Sequence, residues 1–267
     1  MSHWQQVAEA FSRKSLEYDE FGTDHPNLTR MRGRVYAHLD AFLPPGARIL
    51  ELNAGTGTDA VYLARRGHRV LATDIAPGML AVAKQKARDL GLEDRVAVQD
   101  CSFTDLDRLG GGPFDAVFSN FGGLNCLDDL QLVTRHLPRL LVPGGLVTWV
   151  VMPPVCPWEW LALLKGKPGV AFRRLRRGGV MAHVSGVRFR AHYFWPSQVT
   201  RALGPAFETL RLEGLSLFAP TADLKGVVQR HPRLYRALVW LDDRLTGLPL
   251  FRSCGDFFIL SVRYRGE

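Results

Sequence analysis

The sequence predicts an α/β protein: an open, mostly parallel seven-stranded sheet with helices on both faces and a cap inserted late in the chain. Three observations carry that expectation. Short apolar runs alternate with helix-spaced segments from residue 48 to residue 152. A glycine-rich turn joins the first of those runs to the first of those helices. The rhythm then breaks at Pro153-Pro154 and resumes near Phe207. Repeated strand–helix–strand order means a parallel sheet covered on both sides.

Each element follows from its pattern. Leu28, Met31, Val35, Leu39 and Phe42 fall at helical spacing, and Pro44-Pro45-Gly46 ends that helix. Arg48–Leu52 reads as a strand and Thr58–Arg66 as a helix. Arg69–Thr73 is the next strand, followed by a helix over Gly78–Leu90 that Gly91 stops. Arg95–Gln99 and Phe114–Ser119 read as strands, Asp128–Leu141 as one helix, and Leu146–Met152 as a strand. Runs such as Ala116-Val117-Phe118 suit burial on both faces of a sheet. Residues 154–195 hold prolines, a Trp-Glu-Trp, a basic run and the alternating segment Val187–Trp195, which together read as an inserted cap. Phe207–Leu217 (strand), Pro232–Leu245 (helix) and Phe257–Tyr264 (strand) return to the core pattern and predict an antiparallel edge.

The chain has 267 residues, 46% of them hydrophobic and 22% charged, which allows a sizeable core and excludes global disorder. The net charge of +8 is local: nine basic residues and no acid lie between Trp160 and Phe207. The rest of the chain is close to neutral, which argues against a nucleic-acid partner for the whole surface. The cysteines, Cys101, Cys126, Cys156 and Cys254, form no Cys-x-x-Cys pair, so no metal site is expected and a reducing cytoplasm is. No apolar signal core opens the sequence, and three prolines interrupt its most apolar window, Leu146–Leu164.

The sharpest motif is Ile49-Leu50-Glu51-Leu52-Asn53-Ala54-Gly55-Thr56-Gly57-Thr58-Asp59. Gly55 and Gly57 let the backbone turn tightly and approach a ligand. Asp74 ends the next strand, where an acid accepts both hydroxyls of a ribose, and Asp100 ends the third. A dinucleotide would set its pyrophosphate on the helix N-terminus. Here Glu51 and Asp59 flank the glycines and Ala60 replaces a third one, which repels pyrophosphate and suits a cationic ligand.

At this point the sequence resembles the class I S-adenosylmethionine-dependent methyltransferases, which are Rossmann-like in fold. The resemblance runs from about Phe11 to Met152. It rests on the glycine motif, on Thr73-Asp74-Ile75-Ala76-Pro77-Gly78-Met79-Leu80, on Gln99-Asp100-Cys101, and on Phe114–Asn120 followed by Leu141-Val142-Pro143-Gly144-Gly145. It implies that Glu51 and the Asn53–Gly57 backbone face the methionine end of S-adenosyl-L-methionine. Asp74 would hold the ribose, and Ile75 would lie on an adenine face. Asp100 and the Cys101 backbone would meet the adenine edge, with Ser119 and Asn120 at the methyl-donor end. Phe11–Asp19 resembles the leading helix of quinone- and biotin-pathway methyltransferases, which assigns Tyr18 to covering the cofactor. Asn53 departs from the family, which usually has Gly there.

The alternation and its break at Pro153-Pro154 are expected to divide the chain into an N-terminal helical lid (1–46), a cofactor-binding core (47–153), a substrate cap (154–195) and a completion of the core sheet (196–267). The cap's aromatics favour a hydrophobic or aromatic small molecule as acceptor. Methyl transfer needs a base only where the acceptor must lose a proton. Candidates are His192, Tyr193 and His183 in the cap and His25 near the lid, with His192 foremost. Residues 160–207 are candidates for contact with an anionic membrane or an anionic acceptor. The competing functions are a non-methylating S-adenosylmethionine-binding protein and a nicotinamide-dependent oxidoreductase.

Overall fold

The computed structural model describes residues 1–22 and 25–266, and the backbone alone at 223 and 225. Two helices, α1 (His3–Gly22) and α2 (Pro26–Asp40), precede the sheet. The alternating part follows as β1 (Arg48–Leu52), α3 (Thr58–Arg65), β2 (Arg69–Asp74), α4 (Pro77–Asp89), β3 (Val96–Asp100), β4 (Phe114–Ser119) and β5 (Leu141–Val151). A hairpin of β6 (Val180–Val184) and β7 (Val187–Ala191) stands apart, and β8 (Phe207–Leu215) and β9 (Phe257–Tyr264) close the chain. The seven-stranded sheet runs β3-β2-β1-β4-β5-β9-β8. β1 to β5 pair in parallel, while β9 runs antiparallel to both neighbours. The order reverses between β1 and β4, and open α/β sheets bind ligands at the carboxyl ends beside such a reversal.

Alternation decides which side each residue serves. Leu50, Leu52, Val117, Val147 and Trp149 pack in one core, while Ile49, Ala116, Phe118 and Val150 pack in the other. Successive strand residues point to opposite faces, so a strand covered on both sides must be apolar throughout.

The structure departs from the expected elements in a few places. The segment expected as one helix over 128–141 is two short turns, Gln131–Thr134 and Leu137–Leu140. Pro138 lacks an N–H and suits only the first turn of a helix, so the helix restarts there. β5 begins at Leu141, where it pairs with Phe114. β6 and the helix Pro196–Leu203 have no counterpart among the expected elements; the helix starts at Pro196, with Gln198 accepting the Trp195 N–H at 2.7 Å.

The hairpin packs on α1: Val187 and Phe189 meet Val7, Ala10 and Phe11, with Cys126 and Ile75 from the sheet's carboxyl end. α1 also lies close on α4, since a Cβ on Gly78 would stand 2.7 Å from the Ser12 carbonyl oxygen. The basic run is not unopposed, as its sequence suggests. Glu159, just outside it, takes Arg173 at 2.7 Å and Arg174 at 2.7 Å, and Arg174 also reaches Asp256 at 2.8 Å. The buried Arg174 thereby ties the cap to the start of β9. Among the described residues no helix is long and apolar enough to cross a membrane.

α2 is fixed to the antiparallel edge by buried Glu213 of β8, which pairs with Arg34 and with Arg211 at 2.8 Å and lies 3.7 Å from the His38 ring. Burial pushes its carboxyl up, but His38 and Arg34 outweigh that and hold it down to about 2. A carboxyl depressed in the folded state stabilises the fold above its ordinary range, and that stability is lost as pH falls toward about 2. Glu213→Gln should therefore cost about 3 kcal/mol at neutral pH. In thermal melts the gap between parent and variant should stay constant near neutrality and close as pH falls below the ordinary glutamate range.

Candidate active site

The turn after β1 takes three left-handed residues in short order: Asn53 (φ 48°), Gly55 (φ 56°) and Gly57 (φ 74°). Gly57 begins α3, and a Cβ there would stand 3.0 Å from the Ala83 Cβ of α4. Asn is among the few side chains that tolerate this backbone. Here its amide is also used. Asn53 Nδ2 donates to the Asn120 carbonyl at 2.8 Å, and Ser119 Oγ donates to Asn53 Oδ1 at 2.6 Å. The loop after β4 makes room for it at Gly123, where a Cβ would overlap the Asn53 amide.

β2 holds the other side of the turn. Asp74 Oδ2 accepts the Gly55 N–H and Oδ1 the Ala76 N–H, both at 2.9 Å. Burial raises the Asp74 carboxyl, with the Ala76 and Gly55 N–H groups pulling the other way. Thr73 Oγ1 donates to the Glu51 carbonyl at 2.9 Å, and the Ala54 N–H donates to the Thr73 carbonyl at 2.9 Å.

Behind the turn lies a polar hub on Asp59. Arg32 of α2 pairs with it, Tyr36 donates to it at 2.6 Å, and Asn120 Nδ2 donates to it at 2.8 Å. The Arg32 guanidinium sits 5.0 Å from the Phe121 ring centre. Glu51 is buried nearby, and among the described residues its Oε2 has no hydrogen-bond partner. Burial and then Asp59 raise its carboxyl well above the ordinary range, with Arg32 opposing. An orphaned buried carboxyl oxygen beside this turn is a polar group that calls for a hydrogen-bonding partner.

A cleft of about 870 Å³ opens over the turn. Of the expected cofactor residues, Tyr18, Asn53, Gly55, Asp74, Ile75, Cys101 and Asn120 line it. Glu51, Gly57 and Ser119 lie outside the lining and support it from behind or below. Asp100 is exposed at the end of β3, because the chain enters the cleft one residue later, at Cys101. Trp4, Val7, Phe103 and Arg32, which the sequence did not single out, also line the cleft, as does Asp59 of the glycine motif. Asp59 stood inside the glycine motif and was legible as a charge. Arg32 carried no signal beyond its place on a helix.

A second cavity, of about 1520 Å³, adjoins the first and shares Tyr18, Arg32, Thr58 and Phe121 with it. Of the expected catalytic residues only Tyr193 lines it. Burial raises the phenols of both Tyr193 and Tyr18, which keeps them protonated as hydrogen-bond donors. His183 is exposed on β6, and His192 lines neither cavity. The alternation of β7 turns Val187, Phe189 and Ala191 inward and leaves the Arg188 and Arg190 side exposed. His192 follows that strand with its backbone held by Asn125, at 2.7 Å through its N–H and 2.6 Å through its carbonyl. His25 is buried and structural: it caps α2 through Leu28 N–H, and its Nε2 lies 2.8 Å from the Ala222 carbonyl oxygen.

Comparison with known proteins agrees with this geometry. Residues 49–145 match the family described as a methyltransferase domain. A demethylmenaquinone methyltransferase of Thermus thermophilus is 40% identical over 113 residues, covering 40% of this chain and 48% of that protein. A tRNA 5-carboxymethoxyuridine methyltransferase of Escherichia coli is 28% identical over 142 residues, covering 53% of each. The chain spans about half the length of the curated relatives it matches. Among solved structures, the [4+2]-cyclase SpnF aligns with a TM-score of 0.64 at 18% identity, covering 98% of this chain and 96% of that one. A likeness at that identity establishes the fold. Residues 49–145 match the methyltransferase-domain family, and the chain shares its fold with a solved S-adenosylmethionine-dependent methyltransferase of Methanosarcina mazei.

Proposed function

We propose that this protein transfers a methyl group from S-adenosylmethionine to a small hydrophobic or aromatic acceptor in the cytoplasm. The observation that carries the reading is the pair of adjoining cavities with Arg32, Tyr18, Thr58 and Phe121 in common. The cofactor, when bound, supplies an electrophilic methyl on a sulfonium. The chain's part is to orient and to exclude water. Asp74 is placed to accept the ribose hydroxyls, and Ile75 and Phe103 offer apolar faces to the base.

The second cavity supports an acceptor without a strong negative charge. Its walls include Leu28, Met31, Met152 and Phe257. Its cations are largely answered from within: Arg32 by Asp59, Lys86 by Asp19, and Arg173 and Arg174 by Glu159 and Asp256. That matching weakens the anionic-acceptor reading of the basic run. The apolar lining favours a small molecule over a nucleic acid. All four cysteines are free thiols, in keeping with a reducing compartment. The likeness to a cyclase keeps a non-methylating role as the second reading.

Incubation with methyl-labelled S-adenosylmethionine and a panel of lipophilic phenols and quinols should give labelled product and S-adenosylhomocysteine in equal amounts. Cofactor left intact with every acceptor would favour the second reading, and tighter binding of a nicotinamide dinucleotide would favour an oxidoreductase.

Two substitutions separate the cavities. Asp74→Ala removes a charged acceptor and frees the Gly55 N–H, so calorimetry should show affinity for S-adenosylmethionine reduced about tenfold to a hundredfold. Tyr193→Phe should raise the KM for the acceptor about tenfold or less while cofactor affinity stays unchanged.

A further inference from the structure

We propose that residues 161–177, on the outer side of the cap, form a docking surface for an anionic lipid membrane. Leu161, Leu163, Leu164, Val170, Phe172 and Leu175 are all exposed there, Leu164 at 85%. So dense a run of exposed large apolar side chains marks an interaction surface. Lys165, Lys167, Arg176 and Arg177 stand among them, exposed and, among the described residues, without an acidic partner. No acid lies between Trp160 and Phe207.

The charges divide by direction. Arg173 and Arg174 line the second cavity and are answered by Glu159 and Asp256. Phe172 and Leu175, which flank them in the chain, are exposed at 44% and 49%. One short turn, Arg173–Leu175, thus presents paired cations to the cavity and apolar side chains to the outside. Unanswered cations around an apolar patch complement a surface that is negative at its headgroups and apolar beneath them. The other exposed apolar stretch, on helix Pro232–Leu245, includes Asp242 and Asp243, which are committed to Arg30 and Arg34. It lacks the acid-free character of the cap.

The surface stands independently of the methyl-transfer reading, and its test measures binding rather than turnover. The full chain is floated with vesicles of phosphatidylcholine alone and of phosphatidylcholine with phosphatidylserine, at low and moderate salt. The parent should bind the anionic vesicles at least about tenfold more tightly than the neutral ones, and salt should weaken that binding. Two variants carry substitutions at exposed positions only, and circular dichroism checks their fold. Replacing Lys165, Lys167, Arg176 and Arg177 with Gln should reduce binding about tenfold or more. Leu161→Ser with Leu164→Ser should reduce it as well. A parent that ignores anionic vesicles overturns the proposal. So does binding that both variants retain, which would assign it to another surface. Self-association abolished by the leucine variant, without vesicle binding, would show that a second copy of the chain covers the patch.

Discussion

Asp74 and Asn53 grip the turn after β1 from its two sides. Asp74 takes the Gly55 N–H from the β2 side, and the Asn53 amide joins Ser119 and Asn120 on the β4 side. A non-glycine residue in the left-handed region, as Asn53 is, persists where its surroundings over-determine it. The neighbouring strand ends do that here, and the parallel register places them level with the turn. The cleft and the start of α3 follow from this arrangement. Asn53 belongs to it as a brace between strand ends.

The brace continues into a buried polar network. Asn120 leads to Asp59, and Asp59 to Arg32 and Tyr36 on α2. Breaking a buried pair by removing one partner typically costs about 3–5 kcal/mol, because the other charge is left unanswered. The N-terminal helices are thereby coupled to the glycine turn, and Arg32 stands where the two cavities meet. Glu51 is the one acid of this group with an oxygen left unpartnered among the described residues.

The centre of the sheet was legible because β1, β4 and β5 are buried on both faces and announce themselves as apolar runs. The glycine turn and Asp74 were legible because that chemistry must sit at strand ends. The pairs that hold the cap and the edge strands were not legible. Arg174 meets Asp256 and Arg34 meets Glu213 across long stretches of chain, and no local pattern marks either partner. The same distance explains Arg32, whose role depends on α2 crossing behind a turn in another element. The histidines misled for a local reason: alternation in β7 separates two faces but does not say which one meets the site. Tyr193, beyond the end of that strand, reaches the second cavity where His183 and His192 do not.

A crystal structure of the protein with S-adenosylhomocysteine tests the central claim most directly. The account predicts both ribose hydroxyls within hydrogen-bonding distance of the Asp74 carboxylate, the base between Ile75 and Phe103, and the homocysteine end over Asn53–Gly55 toward Arg32. A ligand seated in the second cavity, or one with its ribose turned away from Asp74, would contradict it.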